Sequence, residues 1–380
     1  MRIAMIGQKG IPFDEEGGGG GIERHVEELS TRLVERGNEV IVYVRPHAVS
    51  WKEPTYKGVR LIRRPSLKSK NFDTISHALI CTLDVLFRNV DIIHYHGVGP
   101  STLAWVPRLL KPGAQVVVTF HSQDRFHLKW GLFARLYLTW GEWTAVHIPH
   151  LTIAVSHAIR GFCREKWPGR TVVVIPNGVA DAPRADGVEE IKQFGLTPGG
   201  YILTVARLIR HKGIHHLIQA YAGLKTDKKL AIVGAPSYTR DYYDYLLGLA
   251  KDNPNIVFTG FQTGRTLAAL YQHSYLYVHA SESEGLSLTI LEAMSYATPV
   301  LISDIPENLE TIDHSGFSFE VRNVADLRRK LEDLLAKPDE VRQVGERGQE
   351  FIKKNFNWKS VVEKTEAAYR SALDRGRRGR

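Results

Sequence analysis

Residues 279–304 read HASESEGLSLTILEAMSYATPVLISD, and this stretch outlines one loop–helix–strand unit. A short helix-forming run occupies its middle, and a Thr-Pro turn then leads into the apolar strand PVLISD. Glu284 stands in the loop before the helix, whereas Glu292 stands inside it among apolar residues. A carboxylate in such surroundings is costly without a hydrogen-bonding partner. The stretch therefore predicts an α/β unit in which two acids serve a polar ligand.

The same alternation of strand-like and helix-like segments extends over the whole chain. The apolar runs of the first half are RIAMI, VIVYV, DIIHYH, QVVVTFH, LTIAVS and TVVVIPNG. After the polar connector APRADGVEEIKQFGLTPGG, a second series follows: YILTVARL, KLAIVGA, NIVFTGF, YLYVHAS and PVLISD. Such runs are typical of parallel strands that are buried on both faces and have a ligand crevice at their carboxyl ends. The sequence predicts two doubly wound α/β domains joined near residues 180–200.

Composition indicates a soluble globular protein, because 43% of the 380 residues are hydrophobic and 24% are charged. A chain of this length normally forms two domains. The two cysteines, Cys81 and Cys163, indicate no disulfide framework and favour a reducing compartment. The start of the chain lacks the pattern of a signal peptide, and no apolar run is long enough to span a bilayer. We therefore expect a cytoplasmic protein.

Positive charge is concentrated in the first half of the chain. Residues 1–180 contain 23 Lys and Arg against 15 Asp and Glu, or +8, whereas residues 181–380 contain 27 against 26, or +1. The densest cluster is LIRRPSLKSK, residues 61–70. A basic domain could face nucleic acid, an anionic membrane or a phosphorylated substrate, or could simply be a solvated surface. The chain has no aromatic-basic stacking motif, which disfavours nucleic acid as a partner.

A glycine run before a predicted helix is the first candidate binding segment. It lies in GQKGIPFDEEGGGGGIERHVEELSTRL and includes Gly20 and Gly21. Glycines at a helix N-terminus let backbone amides approach an anion. A dinucleotide-binding turn would need a tighter loop and an acid after the second strand, yet Arg45 stands there. We therefore predict a loop over a ligand other than a nicotinamide dinucleotide.

Two cations and two acids form the second candidate site. Arg207 and Lys212 follow a strand end, where they could clamp a diphosphate beside a helix N-terminus. Glu292 could accept hydrogen bonds from the vicinal hydroxyls of a ribose, and Glu284 from other hydroxyls. The helix is predicted to begin near Leu286 and to direct three amides at the crevice, those of Gly285, Leu286 and Ser287.

Several histidines stand near predicted strand ends. We interpret His96 and His121 as hydrogen-bonding residues that face a ligand. Asp124 is close to His121 in the sequence. The H-x-H pair in HYHG could bind a metal, but no third ligand is convincingly spaced, so we predict no metal. His215 and His216 begin a helix and are predicted to be structural.

Taken together, these segments resemble the family-4 glycosyltransferases, which are retaining enzymes with the two-domain GT-B fold. The resemblance covers essentially the whole chain. Its most specific motif is E-x7-E, from Glu284 to Glu292, and it is supported by ARLIRHKG, IPNGV and GGIERHVEELSTRLVERGNEV. The segments YKGVRLIRRPSLKSKNFDTISHAL and DIIHYHGVGPS resemble a rhamnosyltransferase-like bacterial subgroup that builds surface polysaccharides.

The resemblance implies a role for each candidate residue. Glu292 would bind the nucleotide ribose, Arg207 and Lys212 the diphosphate, and Glu284 with the amides after it the donor sugar. His121 would line the reaction centre, with His96 and Asp124 on the acceptor side. Gly20 and Gly21 would form the loop near the phosphate and the acceptor. Asn177 would stand at the domain crossing, and Gly260 with Phe261 would lie near the base. Arg207, Lys212, Glu284 and His121 would form the catalytic set.

The resemblance also implies the domains and the reaction. An N-terminal acceptor-side domain, residues 1–180, would be completed by a crossover helix of about residues 358–374 and would face a nucleotide-sugar domain, residues 181–357, across a cleft. The enzyme would move a hexose-type sugar from a nucleoside diphosphate sugar to an acceptor hydroxyl with retention. We expect no cofactor, no metal and no nucleic acid, but a glycan or lipid-linked acceptor and an anionic membrane surface at the inner face of the cell membrane. The alternatives are a GT-B-fold sugar-nucleotide epimerase and a basic nucleic-acid-binding protein.

Overall fold

The computed structural model describes residues 1–12, 20–69, 72–123, 125, 131–180, 187–236 and 240–378, except for the side chain of Phe133. The chain divides into two compact units. The first comprises Met1–Asn177 and Trp358–Arg380, and the second comprises Gly178–Asn357. Among the described helices, none is both long and apolar enough to cross a lipid bilayer.

The first unit is built on an eight-stranded sheet with the order β3-β4-β2-β1-β5-β6-β7-β8. All neighbouring strands are parallel except β3, which pairs with β4 in an antiparallel hairpin. The strands are β1 (Arg2–Ile6), β2 (Glu39–Val44), β3 (Thr55–Tyr56), β4 (Val59–Arg63), β5 (Ile92–His96), β6 (Gln115–Phe120), β7 (Leu151–Ala154) and β8 (Val172–Val174).

Helices cover both faces of this sheet. They are α1 (Gly21–Glu35), α2 (Asp73–Leu86), α3 (Val98–Ser101), α4 (Trp105–Leu110), α5 (Leu132–His147), α6 (His157–Lys166) and, from the end of the chain, α15 (Trp358–Arg378). After β4 the chain reverses its direction of travel across the sheet. Because crossovers between parallel strands are right-handed, α2 to α6 lie on one face and α1 on the other. The α15 helix packs against α1.

Burial on both faces explains why the central strands read as continuous apolar runs. All five residues of β5 are buried, including two histidines. The core between the sheet and its α1 side joins side chains from distant parts of the chain, among them Val42, Ile92, Val117 and Trp358. The last helix thus completes the core of the first unit.

The second unit contains a six-stranded parallel sheet with the order β11-β10-β9-β12-β13-β14. Its strands are β9 (Tyr201–Val205), β10 (Lys229–Val233), β11 (Ile256–Gly260), β12 (Leu276–His279), β13 (Val300–Ser303) and β14 (Phe317–Phe319). Its helices are α7 (Val188–Lys192), α8 (Ile214–Tyr221), α9 (Arg240–Ala250), α10 (Gly264–Gln272), α11 (Leu288–Ser295), α12 (Pro306–Ile312), α13 (Val324–Leu335) and α14 (Pro338–Asn355). Both units are doubly wound α/β structures, as the sequence predicts.

Each sheet has a point where the strand order reverses. In the second unit β10 and β11 follow on one side of β9, and the chain then returns to place β12 on the other side, where Tyr277 pairs with Leu203. In the first unit β1 and β5 have the same relation, with Ile6 paired to Tyr95. Loops diverge at such a point and leave a crevice at the carboxyl ends of the strands, where ligands bind in folds of this kind.

Gly213 brings two of these loops together in the second unit. Its φ of +65° lies in the left-handed region, and an added Cβ would be 2.0 Å from the carbonyl oxygen of Ala280. Only glycine permits this approach. The start of α8 and the loop after β12 are therefore held in direct contact.

Candidate functional site

Glu284 is the centre of a buried group of polar side chains in the second unit. Its Oε1 atom accepts a hydrogen bond from His279 Nε2 at 2.8 Å and forms an ion pair with Lys212 Nζ. The three side chains are 10%, 2% and 14% exposed, respectively. Glu284 comes from the loop after β12, His279 from the end of β12 and Lys212 from a 3-10 turn before α8. The structure thus brings Lys212 and Glu284 together, at the switch point of the sheet.

The ionisation of this group follows from its surroundings. Burial favours the neutral form of Glu284, but the Lys212 ammonium and the hydrogen bond from His279 outweigh burial and hold the carboxyl pKa well below its ordinary value. Burial lowers the pKa of His279, and the contact with Glu284 opposes this only in part. At neutral pH Glu284 is therefore a carboxylate and His279 an uncharged imidazole.

Backbone contacts fix the relative position of the two loops that contain Lys212 and Glu284. The Glu282 N–H donates to the His211 carbonyl at 2.8 Å, and the Ser281 hydroxyl donates to the same oxygen at 3.2 Å. Together with the close approach at Gly213, these bonds fix Lys212 relative to Glu284. The geometry is therefore set by the backbone and not by the ion pair alone.

Glu292 occupies a buried position in α11, 9% exposed. Its Oε2 atom accepts a hydrogen bond from the Tyr271 hydroxyl at 3.2 Å, so a tyrosine supplies a partner for the carboxylate within this unit. The helix begins at Leu288, with Ser287 as its N-cap, whereas the sequence placed the start near Leu286. That prediction was wrong by two residues, because Gly285 and Leu286 still belong to the loop.

Tyr277 links the surroundings of the two acids. Its hydroxyl lies 3.1 Å from His279 Nδ1 and 2.8 Å from Thr289 Oγ1. Burial raises the pKa of Tyr277, and the charges of Glu284 and Glu292 raise it further. Both carboxylates are thus close enough to act on one phenol. The sequence analysis missed Tyr277, because nothing in a buried, largely apolar strand distinguishes it from the core residues beside it.

Three other predicted residues lie at the carboxyl ends of strands in this sheet. Arg207 follows β9 by two residues and is exposed, so its guanidinium is open to a ligand. Gly260 ends β11 with a φ of +72°, and Phe261 after it is 42% exposed. These positions share the edge of the sheet at which Glu284 and Lys212 lie.

The first unit contains a cluster of buried histidines at its own switch point. His96 Nδ1 lies 3.1 Å from His121 Nε2, and the rings of His94 and His96 are 4.1 Å apart. His25 of α1 adds a ring 5.0 Å from that of His121. Sequence reasoning predicted His96 and His121 as ligand-facing residues and named His94 only as part of the H-x-H pair, but it missed His25. His25 could have been found from its helical spacing to the buried Leu29.

These imidazoles are held neutral. Burial lowers the pKa of His25 to about 4, although a hydrogen bond with Asn177 acts in the opposite direction. Burial and the neighbouring imidazoles lower the pKa values of His96 and His121 well below their ordinary value. Neutral imidazoles can donate, accept or bind a metal.

Two groups of described residues could hold a metal ion on geometry alone. In each, the ligand atoms lie within 4.8 Å of one another; the groups are His25, His96 and His121, and His215, His216 and Glu282. The sequence showed no convincingly spaced third ligand beside His96 and His121. The fold supplies His25 of α1 as a third candidate ligand, because α1 and the edge of the sheet meet beside His96 and His121.

The start of α1 is attached to the loop after β1. Glu23 accepts hydrogen bonds from the Gly20 N–H at 2.7 Å and from the Lys9 N–H at 2.9 Å. Gly20 is the N-cap of the helix and Gly21 its first residue. The remainder of the glycine run and the predicted acceptor-side residue Asp124 lie outside the described residues.

Comparison with known proteins identifies the two units. Residues 19–182 match the model of the Glycosyltransferase Family 4 domain, and residues 189–351 match that of the Glycosyl transferases group 1 domain. The chain is a family-4 glycosyltransferase with the GT-B fold. An uncharacterized glycosyltransferase of Methanocaldococcus jannaschii is 26% identical to it, over 93% of this chain and 95% of that protein.

Solved structures resemble this glycosyltransferase along its length. Sucrose-phosphate synthase from Thermosynechococcus elongatus has a TM-score of 0.84 and 22% identity, and the match covers 98% of this chain and 99% of that one. Anabaena HepE in complex with UDP and glucose has a TM-score of 0.80 and 17% identity, with 98% and 100% covered. At these identities the likeness establishes the fold.

Proposed function

We propose that this glycosyltransferase transfers a hexose-type sugar from a nucleoside diphosphate sugar to an acceptor hydroxyl, with retention of anomeric configuration. One observation carries the proposal: an ionised, buried Glu284 is held by Lys212 at the sheet's switch point. The exposed Arg207 lies at the same edge. The complex of Anabaena HepE with UDP and glucose supports a nucleotide sugar as the donor.

Arg207 and Lys212 would bind the donor's diphosphate. The Lys212 ammonium has three N–H donors and also contacts Glu284, so donors remain for phosphate oxygens. Lys212 and Glu284 neutralise each other, and Arg207 would therefore supply the excess positive charge. The amides of Gly285, Leu286 and Ser287 would add donors from the loop before α11.

Glu284 and Glu292 would bind the two sugar rings of the donor. His279 and Lys212 both contact Oε1 of Glu284, which leaves Oε2 to accept from hydroxyls of the transferred sugar. The low pKa of Glu284 keeps it an acceptor at neutral pH. Glu292 would accept from the ribose hydroxyls, and Gly260 and Phe261 would lie near the base.

The proposed reaction takes place on one face of the sugar. The bond from the anomeric carbon to the diphosphate oxygen breaks, and a bond to the acceptor oxygen forms on the same face. The leaving diphosphate oxygen takes the acceptor's proton, so no carboxylate acts as nucleophile. Lys212, Arg207 and the loop amides would stabilise the charge that grows on the diphosphate, without a divalent metal or cofactor.

The acceptor would be a glycan intermediate linked to a lipid at the cytoplasmic face of the membrane, on the route to a surface polysaccharide. The basic segment of residues 61–70 supports an anionic surface as partner. For the first unit we propose that His121 acts at the reaction centre and that His96 serves the acceptor. Gly20, Gly21 and Asn177 would complete the site.

A two-step experiment tests this function. Calorimetry with UDP, GDP, dTDP and ADP sugars is expected to show selective binding of one base. Proton NMR of the reaction with that donor should then show a product with the donor's anomeric configuration. An inverted product would overturn retention, and conversion of donor without acceptor would indicate an epimerase. The family matches favour neither that alternative nor a nucleic-acid-binding protein.

A further inference from the structure

Exposed apolar side chains are concentrated on the first unit. Of the 17 large hydrophobic residues exposed in the described part of the chain, 13 belong to this unit, and ten of these lie on α2 with its C-cap, on α4 or on α5. All three helices cover the same face of the eight-stranded sheet. Exposed apolar residues are ordinary when scattered, but a concentration of this kind marks an interaction site.

Six residues define this surface, which we call the helix face. Their side chains are between 47% and 91% exposed, and they occur in pairs on the three helices: Leu83 and Phe87, Leu109 and Leu110, Leu136 and Trp140. Within α2 and α5 each pair is spaced by four residues, so its members lie on one side of the helix. The helix face therefore combines exposed apolar pairs from three helices.

Packing between the helices turns these pairs outward. The Lys111 ammonium donates to the Leu86 carbonyl at 2.8 Å and so joins the end of α4 to the end of α2. The Ser101 hydroxyl donates to the Gly141 carbonyl at 3.0 Å and joins α3 to α5. An added Cβ on Gly141 would lie 2.4 Å from the Val98 carbonyl oxygen, so that side of α5 is fully occupied. Leu136 and Trp140 remain on the outside.

The charge around the helix face is positive. Its described acids already contact arginines: Asp73 with Arg45 at 2.7 Å, Asp84 with Arg88, and Glu142 with Arg125 at 2.8 Å. By contrast, Arg108 of α4 and Arg135 of α5 are exposed beside the apolar residues. The described part of the segment that leads toward α2, residues 61–69, contributes three more cations and no acid, and one of these cations, Arg64, also contacts Asp84.

From this arrangement we infer that the helix face docks the enzyme on an anionic lipid bilayer. Leucine and tryptophan side chains insert at the boundary of headgroups and acyl chains, while arginines contact lipid phosphates. A second copy of this chain is a poorer partner, because a twofold contact would bring the positively charged helix face of one copy against the same positively charged face of the other. The inference rests on the proposed function insofar as the docked unit would receive a lipid-linked acceptor.

Vesicle flotation with the full chain tests the inference. We expect flotation with phosphatidylglycerol-containing vesicles and much less with pure phosphatidylcholine. The variant Leu109→Ser/Leu136→Ser/Trp140→Ser should lower the partition coefficient by about tenfold or more. The matched control Leu247→Ser/Leu309→Ser removes leucines of the second unit that are 40% and 41% exposed, and should float as wild type. Arg108→Gln/Arg135→Gln should weaken binding most at low salt.

UDP calorimetry and light scattering on the same proteins separate the outcomes. Unchanged nucleotide affinity in the leucine–tryptophan variant would show that its second unit is intact. An unchanged thermal unfolding profile would show that its first unit is folded as well, so that docking alone is lost. Wild-type protein that stays unbound at low salt would overturn the docking surface. So would equal flotation of all variants, or a dimer that only the leucine–tryptophan variant dissociates. A chain that floats but binds no nucleotide would instead overturn the proposed function.

Discussion

His279 Nε2 lies 2.8 Å from Oε1 of Glu284, the oxygen that Lys212 also contacts. One carboxylate oxygen thus has two partners on adjacent elements of the second unit. The arrangement holds Glu284 ionised although it is buried. It also orients the other oxygen, Oε2, which we assign to the donor sugar.

Replacement of Lys212 by methionine should slow sugar transfer by about 10²–10³-fold, because a charge that stabilises the departing diphosphate is lost. The pKa of Glu284 should rise, since the ammonium is a main cause of its low value. The acid limb of the rate–pH profile should therefore move to higher pH. Steady-state kinetics measure both effects. Lys251→Met, at an exposed position of the same unit, is the control, and an equal loss there would contradict the assignment.

Removal of the Glu292 carboxylate should weaken nucleotide binding. Glu292→Ala is expected to raise the Kd for the nucleoside diphosphate by about tenfold or more, the cost of losing hydrogen bonds to a charged group. Glu284→Ala should mainly reduce turnover. Calorimetry distinguishes the two variants, with the exposed Glu346→Ala as control. Equal affinity in wild type and Glu292→Ala would count against the ribose assignment.

Gly213→Ala should destabilise the second unit by about 2 kcal/mol or more. The left-handed backbone disfavours alanine, and the new Cβ would collide with the Ala280 carbonyl. Gly248→Ala is the matched control, since no atom lies within 4 Å of its added Cβ and it stands inside α9. That change should stabilise the helix by about 0.5–1 kcal/mol. Urea unfolding monitored by circular dichroism gives both values, and comparable losses would refute the role of Gly213.

The buried histidines should make the first unit acid-sensitive. The pKa of His25 is lowered to about 4 in the folded chain, against an ordinary value of 6.5. Between these values the unfolded state binds more protons, so stability should fall as pH decreases from 6.5 toward 4. His25→Gln should make this dependence shallower. Thermal unfolding across pH tests it, and a slope that stays unchanged in His25→Gln would contradict the prediction.

Chelation should leave activity intact. If Arg207 and Lys212 supply the positive charge at the diphosphate, dialysis against EDTA is expected to change the transfer rate by less than about twofold. Loss of activity that Mg²⁺ or Mn²⁺ restores would contradict the proposed metal independence. Loss that Zn²⁺ restores would instead point to one of the two groups with suitable ligand geometry.

The strands could be predicted from the sequence where they are buried. The central strands of both sheets are mostly apolar and were predicted. The β3, β4 and β14 strands were not. The β3 and β4 strands form the edge hairpin, in which β3 has two residues and β4 intersperses arginines with apolar residues, and β14 is a three-residue edge strand. Half-exposed strands leave a weaker pattern.

The candidate site was predictable where its residues are neighbours in the chain. Glu284 and Glu292 share one loop–helix unit, so their spacing alone indicated a joint role. The contacts of Glu284 with Lys212, and of His121 with His25, span 72 and 96 positions in the sequence. A local sequence pattern cannot predict contacts between residues that are so far apart in the chain. The start of α11 was also misplaced, because Leu286 stands four residues before Ile290 and so continues the helical spacing of apolar residues into the loop.

By itself the sequence determined the alternation of buried strands and amphipathic helices, because burial imposes a periodic pattern of apolar residues on neighbouring positions in the chain. Tertiary structure alone decided which oxygen of Glu284 is occupied, which histidines cluster and which leucines of the first unit stay in solvent. Those outcomes depend on how loops diverge at a reversed strand order and how helices pack on one sheet face. Both bring together residues far apart in the chain.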